Sequence, residues 1–491
     1  MEENNKSNNN CILANIRSKY ILKAIFDYLQ EYNSLNIILY NKNIQNKLDI
    51  NIKDYKELSK IEIEVEMEIP KDDEFKFINI SDENYIHYFH MYLDNKNNEI
   101  KRDYVTKGDK FKKIIIIIDC EIKSLNKLFE RCKYIKKVNF IKFIRNNIND
   151  MSHMFDGCQY LKEIDLNYFN AKNVKNMSHM FDGCESIKEL NLSNIITNNV
   201  TNMSCMFNGC SKLFKLNVSN FNTSNVTDMS EMFCGCGSLV VLNLSHFNTN
   251  NVKDMSYMFS GCRFLKEINL SNFNTNNVKD MSHMFYRCKF LKEKNIFNFN
   301  TNNVTNMSCM FYGNESLKEV DLSNYITNKV TNMRCMFCEC KNLYSINLSN
   351  INTDNVTDMN NMFSECKKLT ELDLSNFNTK NVTNMKEMFA KCEWLKEVDL
   401  TNFNTENVTN MEEMFFNCRD LKELNLASFK IKKVKNMEKM FYNCESLEEL
   451  IFPKLKGNSK VVTRDICYGC TSLKDRDKFE NKIKNMSCII Y

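Results

Sequence analysis

Apolar and polar positions along this chain repeat with a long period. Met151, Met177, Met203, Met229, Met255, Met281, Met307, Met333, Met359, Met385, Met411 and Met437 lie 26 residues apart, and one further step in each direction reaches Leu125 and Thr463. The apolar set of one unit, Met151, Met154, Phe155, Cys158, Leu161, Ile164, Leu166, Phe169 and Val174, recurs in the preceding one as Leu125, Leu128, Phe129, Cys132, Ile135, Val138, Phe140, Phe143 and Ile148. Fourteen units follow from this register.

Within a unit, IKELNL (187–192) sets Leu190 and Leu192 on one face and Asn191 on the other, the alternation of a half-buried strand. Val200 to Met203 reads as a second short strand. Asp or Asn stands before the repeated methionine, as at Asp150, Asn176, Asn202 and Asp228, where a side-chain oxygen caps the first turn of a short helix. Glu231, Glu387 and Glu413 follow three residues after such caps and would close capping boxes. A unit this short cannot bury its own apolar face, so successive units must stack and supply each other's missing wall. The expected fold is an α/β-type repeat solenoid with short parallel strands and one short helix or 3-10 turn per coil, preceded by a small α+β region. Lys294, at a core position of FLKEKN, predicts a local defect.

The first 116 residues lack the period. From Ser18 to Leu48, Ile21, Leu22, Ile25, Phe26 and Leu29 share a helical face, and Leu35, Ile38, Leu39 and Leu48 continue it in a second helix. Ile61 to Ile69 alternates strictly, with Glu62, Glu64, Glu66 and Glu68 forming a solvated acidic face. With Phe75 to Ile80 and Lys113 to Ile118, it is expected to cap the first coil. The organisation predicted is a disordered tail (1–14), a helical segment (15–60), a β-rich cap (61–116), the solenoid (117–476) and a C-terminal tail (477–491).

Composition adds little. An apolar content of 43% supports a real core, and 66 basic against 62 acidic residues gives a formal charge of +4, no reason to expect nucleic acid. Asparagine is abundant, which a low-complexity bias explains as well as turn chemistry does. The N-terminus shows no signal-peptide pattern, and the longest aliphatic run, Ile114 to Ile118, is far short of the roughly 20 residues that span a bilayer. A cytoplasmic location is expected.

Cysteine dominates one repeat position: Cys132, Cys158, Cys184, Cys210, Cys236, Cys262, Cys288, Cys340, Cys366, Cys392, Cys418, Cys444 and Cys470, with Asn314 as the remaining member. One thiol per coil makes a line, whereas zinc needs convergent ligands, so the column reads as a buried, reduced structural ladder. Cys309 and Cys335 lie on neighbouring coils, a pair that would oxidise only outside the cytosol. His153, His179 and His283 share a position also held by Cys205, Glu231, Tyr257, Asn361 and Lys439, the mark of a freely varying exposed site. No metal or cofactor is expected, and no nucleophile elbow, phosphate loop or paired CxxC suggests catalysis. The adjacent charges Lys162 and Glu163, Lys188 and Glu189, Lys266 and Glu267, Lys318 and Glu319, and Lys396 and Glu397 recur at the strand position and form the candidate binding face for a protein ligand.

The text NVTNMSCMFNGCSKLFKLNVSNFNTS (199–224) closely resembles the repeat of BspA-like leucine-rich-repeat surface proteins. That resemblance implies a leucine-rich-repeat-like solenoid used in adhesion or protein binding. Bacterial members of that family look secreted or anchored, and this sequence shows neither a signal nor a sorting tail. Its register also creates many N-x-S/T sequons in packed turns, which favours the cytosol. SKYILKAIFDYLQEYNSLNIILYNKNIQNKL (18–48) is similar to a degenerate F-box without the leading Leu-Pro, which implies a substrate receptor of a ubiquitin ligase.

Overall fold

The computed structural model describes residues 16–28, 42–48, 59–69, 74–80, 83–120, 122–143, 145, 147–292, 299–453 and 461–484. Leu29, Leu35, Ile38 and Leu39 of the F-box-like segment, and Lys294 with its expected defect, lie outside these residues. Lys19–Tyr28 and Lys42–Leu48 are helices. Leu22 and Ile44 are buried, and Lys47 Nζ donates to the Ile16 carbonyl at 3.1 Å.

The alternating segment forms β1 (Ile61–Met67), whose Ile61, Ile63, Val65 and Met67 are buried. It does not sit at an edge. Antiparallel pairing joins β1 to β6 (Lys113–Ile118) on one side and to β7 (Ile135–Lys142) on the other. β3 (Phe89–Leu93) and β4 (Glu99–Ile100) extend the sheet beyond β6, while β7 continues in parallel to β8 (Glu163–Asp165). Since β7 and β8 are the strands of the first two coils, cap and solenoid share one sheet, and no backbone edge is left open at the junction. The expected acidic face is instead half-buried at Glu62 and Glu64, which pair with Lys96 and Lys113. Phe75 lies apart from this sheet, in β2 (Glu74–Lys76) paired with β5 (Tyr104–Thr106). Arg145, almost fully buried, donates to the carbonyls of Ser59 and Cys120 and ties the first coil to the cap.

Two parallel ladders follow, one broken into pairs of neighbouring strands and the other continuous along the repeat. One is built from short strands such as Glu189–Asn191 and Lys215–Asn217, paired residue for residue across coils. The other is a chain of single bridges from Ser124 through Asp150, Asn176 and their successors to Val462, one rung per coil over fourteen positions. Between the ladders, Phe129, Phe155, Phe181 and their successors stack continuously to Phe441, with centroids 5.4 to 6.0 Å apart. Methionine, cysteine, leucine and valine columns fill the remaining core.

The short helix expected after the Asp/Asn position is a run of turns. In each coil two backbone positions are left-handed, His153 (φ 56°) and Gly157 (φ 71°) in the second, and a residue at such φ cannot continue a right-handed helix. Alternate amides therefore point outward. Met151, His153, Phe155 and Gly157 donate to the next coil's Asn176, Ser178, Met180 and Asp182 carbonyls, while Asp156 and Cys158 close turns on His153 and Phe155. The Asp/Asn side chain caps its own turn instead: Asp150 Oδ1 accepts from Ser152 N at 3.0 Å and from Ser152 Oγ at 2.7 Å. Glu231, Glu387 and Glu413 fall on the left-handed position (φ 56°, 55° and 55°), so the expected capping boxes do not form.

Residues 477–484, expected to be a tail, belong to a helix, Arg476–Lys484, that covers the last coil with Ile483 buried and the Phe479 ring 6.3 Å from Phe441. The boundary expected at 116/117 falls inside β6. None of the described helices is long and apolar enough to cross a membrane.

Candidate interaction surface

Each coil presents three edges to solvent: the strand face, an asparagine-rich bend and the turn edge. On the strand face, Lys162, Glu163, Lys188, Glu189, Lys266, Glu267, Lys318, Glu319, Lys396 and Glu397 are all exposed. Their pairing runs between coils rather than along the chain. Lys137 meets Glu163 at 3.0 Å, Lys215 meets Glu189 at 2.9 Å, and the Tyr344 hydroxyl donates to Glu319. Exposed pairs of this kind contribute at most about 1 kcal/mol each, so they tune the face without holding it together.

Sequence reading missed an apolar interruption of this charged strip. Phe214 (50% exposed), Val240 (41%) and Val241 (59%) take positions that hold lysine and glutamate at 188, 189, 266 and 267, and Phe264 (52%) and Phe290 (45%) stand on the next two coils in the turn just before the strand, a column that also exposes Tyr160 and Trp394. Phe264 and Phe290 stack at 5.7 Å, and Val240 follows Phe214 in the column that holds Lys188 and Lys266. A tally by repeat position would have found them, because period-two reading marks each only as one more apolar residue beside a strand.

The cysteine column is a buried line. From Cys158 to Cys470 each thiol donates to a phenylalanine carbonyl of the preceding coil, Cys158 to Phe129 at 3.1 Å and Cys470 to Phe441 at 2.9 Å, and Asn314 makes the same bond to Phe285 through Nδ2 at 2.9 Å. Burial pushes the thiols from Cys158 to Cys444 up, Cys340 and Cys392 to about 12, which keeps them protonated and unreactive at neutral pH, whereas the neighbouring Cys444 thiol holds Cys470 down.

The turn edge differs from its expected freely exposed character. His153 and His179 are half-buried and Cys205 is buried, while Tyr257 is exposed, and all sit at left-handed φ. The His153 and His179 rings stack at 4.3 Å, and their Nδ1 atoms meet Asp156 Oδ2 at 2.9 Å and Asp182 Oδ2 at 2.8 Å. The hydrogen bond to Asp182 raises the His179 pKa. Farther along, His283 stacks on Tyr257 at 4.1 Å, has no carboxylate on Nδ1, and is pushed down by burial. The Cys309 and Cys338 thiols and the Arg334 guanidinium around Cys335 hold its thiol well below the ordinary value. All three are reduced.

A family model described as "Mycoplasma protein of unknown function, DUF285" matches residues 123–240, 186–269, 211–320, 263–371, 342–453 and 365–478, overlapping windows that cover every coil. No curated protein matches the chain. Among solved structures, a chain of the Drosophila Toll–Spatzle complex is similar at 16% identity and a TM-score of 0.23, over 62% of this chain and 38% of that one. A chain of the TLR13–ssRNA13 complex is similar at 16% identity and a TM-score of 0.15, over 72% of this chain and 65% of that one. This chain thus spans less than two thirds of either neighbour.

Proposed function

Because the chain belongs to the DUF285 family of repeat proteins, whose description names no activity, we propose from its own surface that it is a non-catalytic scaffold whose strand face binds a protein ligand. One observation carries this reading: large apolar side chains, Phe214, Val241, Phe264 and Phe290 foremost, stand exposed on four consecutive coils among the lysines and glutamates of this face. Solvated apolar residues grouped in this way are a cost to the free protein and a gain once covered, whereas scattered ones mean little. The flanking lysines and glutamates supply the polar rim that protein interfaces carry around such a centre.

A photo-crosslinking amino acid placed at Phe264 tests this in native cells, with a second at Asn277 on the asparagine bend as the reference. Adducts with a defined protein from position 264 alone, lost when Phe214 and Val241 become serine, are expected. Equal labelling from both positions, or labelling indifferent to the double substitution, refutes the proposal. The BspA-like adhesin reading assigns the same face to the cell exterior, which protease treatment of intact cells distinguishes. The ubiquitin-ligase receptor reading requires residues 1–60 to retain a Skp-type adaptor in a pull-down.

A further inference from the structure

On the turn edge, donors of three kinds converge. Ligand atoms of His179, Asp182 and Cys205 all lie within 4.8 Å of one another, and so do those of His153, Asp156 and His179. Three coils contribute, because the parallel stacking that aligns the phenylalanine spine also brings residue 205 beside residue 179, while the turn brings residue 182 back onto it. Left-handed backbone at His179 (φ 56°) and Cys205 (φ 54°) fixes both side chains from a laddered main chain.

We propose that His179, Asp182 and Cys205 form a binding site for one divalent ion of the zinc class. An imidazole nitrogen, a carboxylate oxygen and a thiolate together suit a borderline-soft ion and match neither calcium nor magnesium, which take oxygen. In a tetrahedral zinc site such donors stand about 3.5 Å apart, so small side-chain rotations close the present spacing. The surroundings favour a cation: Asp156, Asp182, Asp228 and Glu231 are the carboxylates that bear on His179 and Cys205. Binding would displace the proton shared by His179 and Asp182 and the proton of the Cys205 thiol, leaving the fourth position to water. The stacked His153, hydrogen-bonded to Asp156, orients the His179 ring from the adjacent coil.

Cobalt(II) is the probe, titrated into the reduced full-length protein and then displaced with zinc. One equivalent should bind with the visible spectrum of a tetrahedral ion and a near-ultraviolet thiolate-to-metal band. Cys205→Ser should remove that band, and His179→Ala should weaken binding by at least the roughly 10- to 100-fold that even outer-shell partners are worth. His153→Ala should keep the thiolate band. Circular dichroism shows whether each variant is folded, and the His179 ring resonances of the wild type report zinc independently of any variant. A thiolate band that survives Cys205→Ser, binding abolished by His153→Ala but indifferent to Cys205→Ser, or unmoved His179 resonances would each overturn the proposal.

Discussion

At the scale of single residues, the informative position is the one that breaks its column. Asn314 replaces cysteine, and its Nδ2 takes over the thiol's bond to Phe285, yet its Oδ1 is buried without a hydrogen-bond donor among the described residues. A buried acceptor left unpaired costs about 1–3 kcal/mol. Asn314→Cys should therefore stabilise the protein by about 1 kcal/mol, read as a higher midpoint of denaturant unfolding, and a lower midpoint would show that the amide oxygen is satisfied in solution. The cysteine column was legible because thiols recur at one spacing. The handedness of the turn was not: His153, Cys205 and Glu231 carry no sign that their backbone has φ near 55°. Glycine at 157, 183, 209, 235 and 261 was the available signal, since a second left-handed position lies four residues on and a Cβ on Gly209 would meet the Gly183 backbone at 3.4 Å.

At the scale of the coil, strands were readable from alternation, whereas the turn was mistaken for a capped helix because Asp or Asn followed by Ser serves both. What decides between them is the neighbouring coil, which claims every second amide. Asparagine content, set aside as uninformative, is the same lesson: Asn199, Asn225 and Asn251 each donate to a carbonyl of the preceding coil, at 2.8, 2.7 and 2.8 Å. A buried threonine column does more. Thr249 Oγ1 donates to the Asn274 carbonyl and accepts from the Asn274 amide, both at 2.8 Å, and Thr301 does likewise with Ile326. Thr249→Val keeps shape but strands two backbone groups, so it should cost about 2–4 kcal/mol, while Thr249→Ser, which retains the hydroxyl, should cost about 1 kcal/mol. A greater loss for Thr249→Ser than for Thr249→Val in denaturant unfolding would place the column's value in its methyl groups.

At the scale of the whole molecule, a solenoid has two ends that its repeats cannot close, and this one closes them by different means. The N-terminal end continues its sheet into β1 and β6, so the backbone of the first coil is paired like any other. The C-terminal end lies under the amphipathic helix Arg476–Lys484, where Phe479 stands 5.3 Å from Phe452 and Ile483 is buried. No repeat period extends into residues 476–484 to reveal that helix. Nearest-neighbour coupling makes stability in such an array local. Removing residues 476–491 should expose the rings of the last coils and speed amide exchange between about Phe415 and Leu473, leaving the amides of Met203 to Phe259 as protected as before. Acceleration spreading to the central coils would mean that the array unfolds as one cooperative block, and the apolar strand face around Phe264 would then depend on a helix some eight coils away.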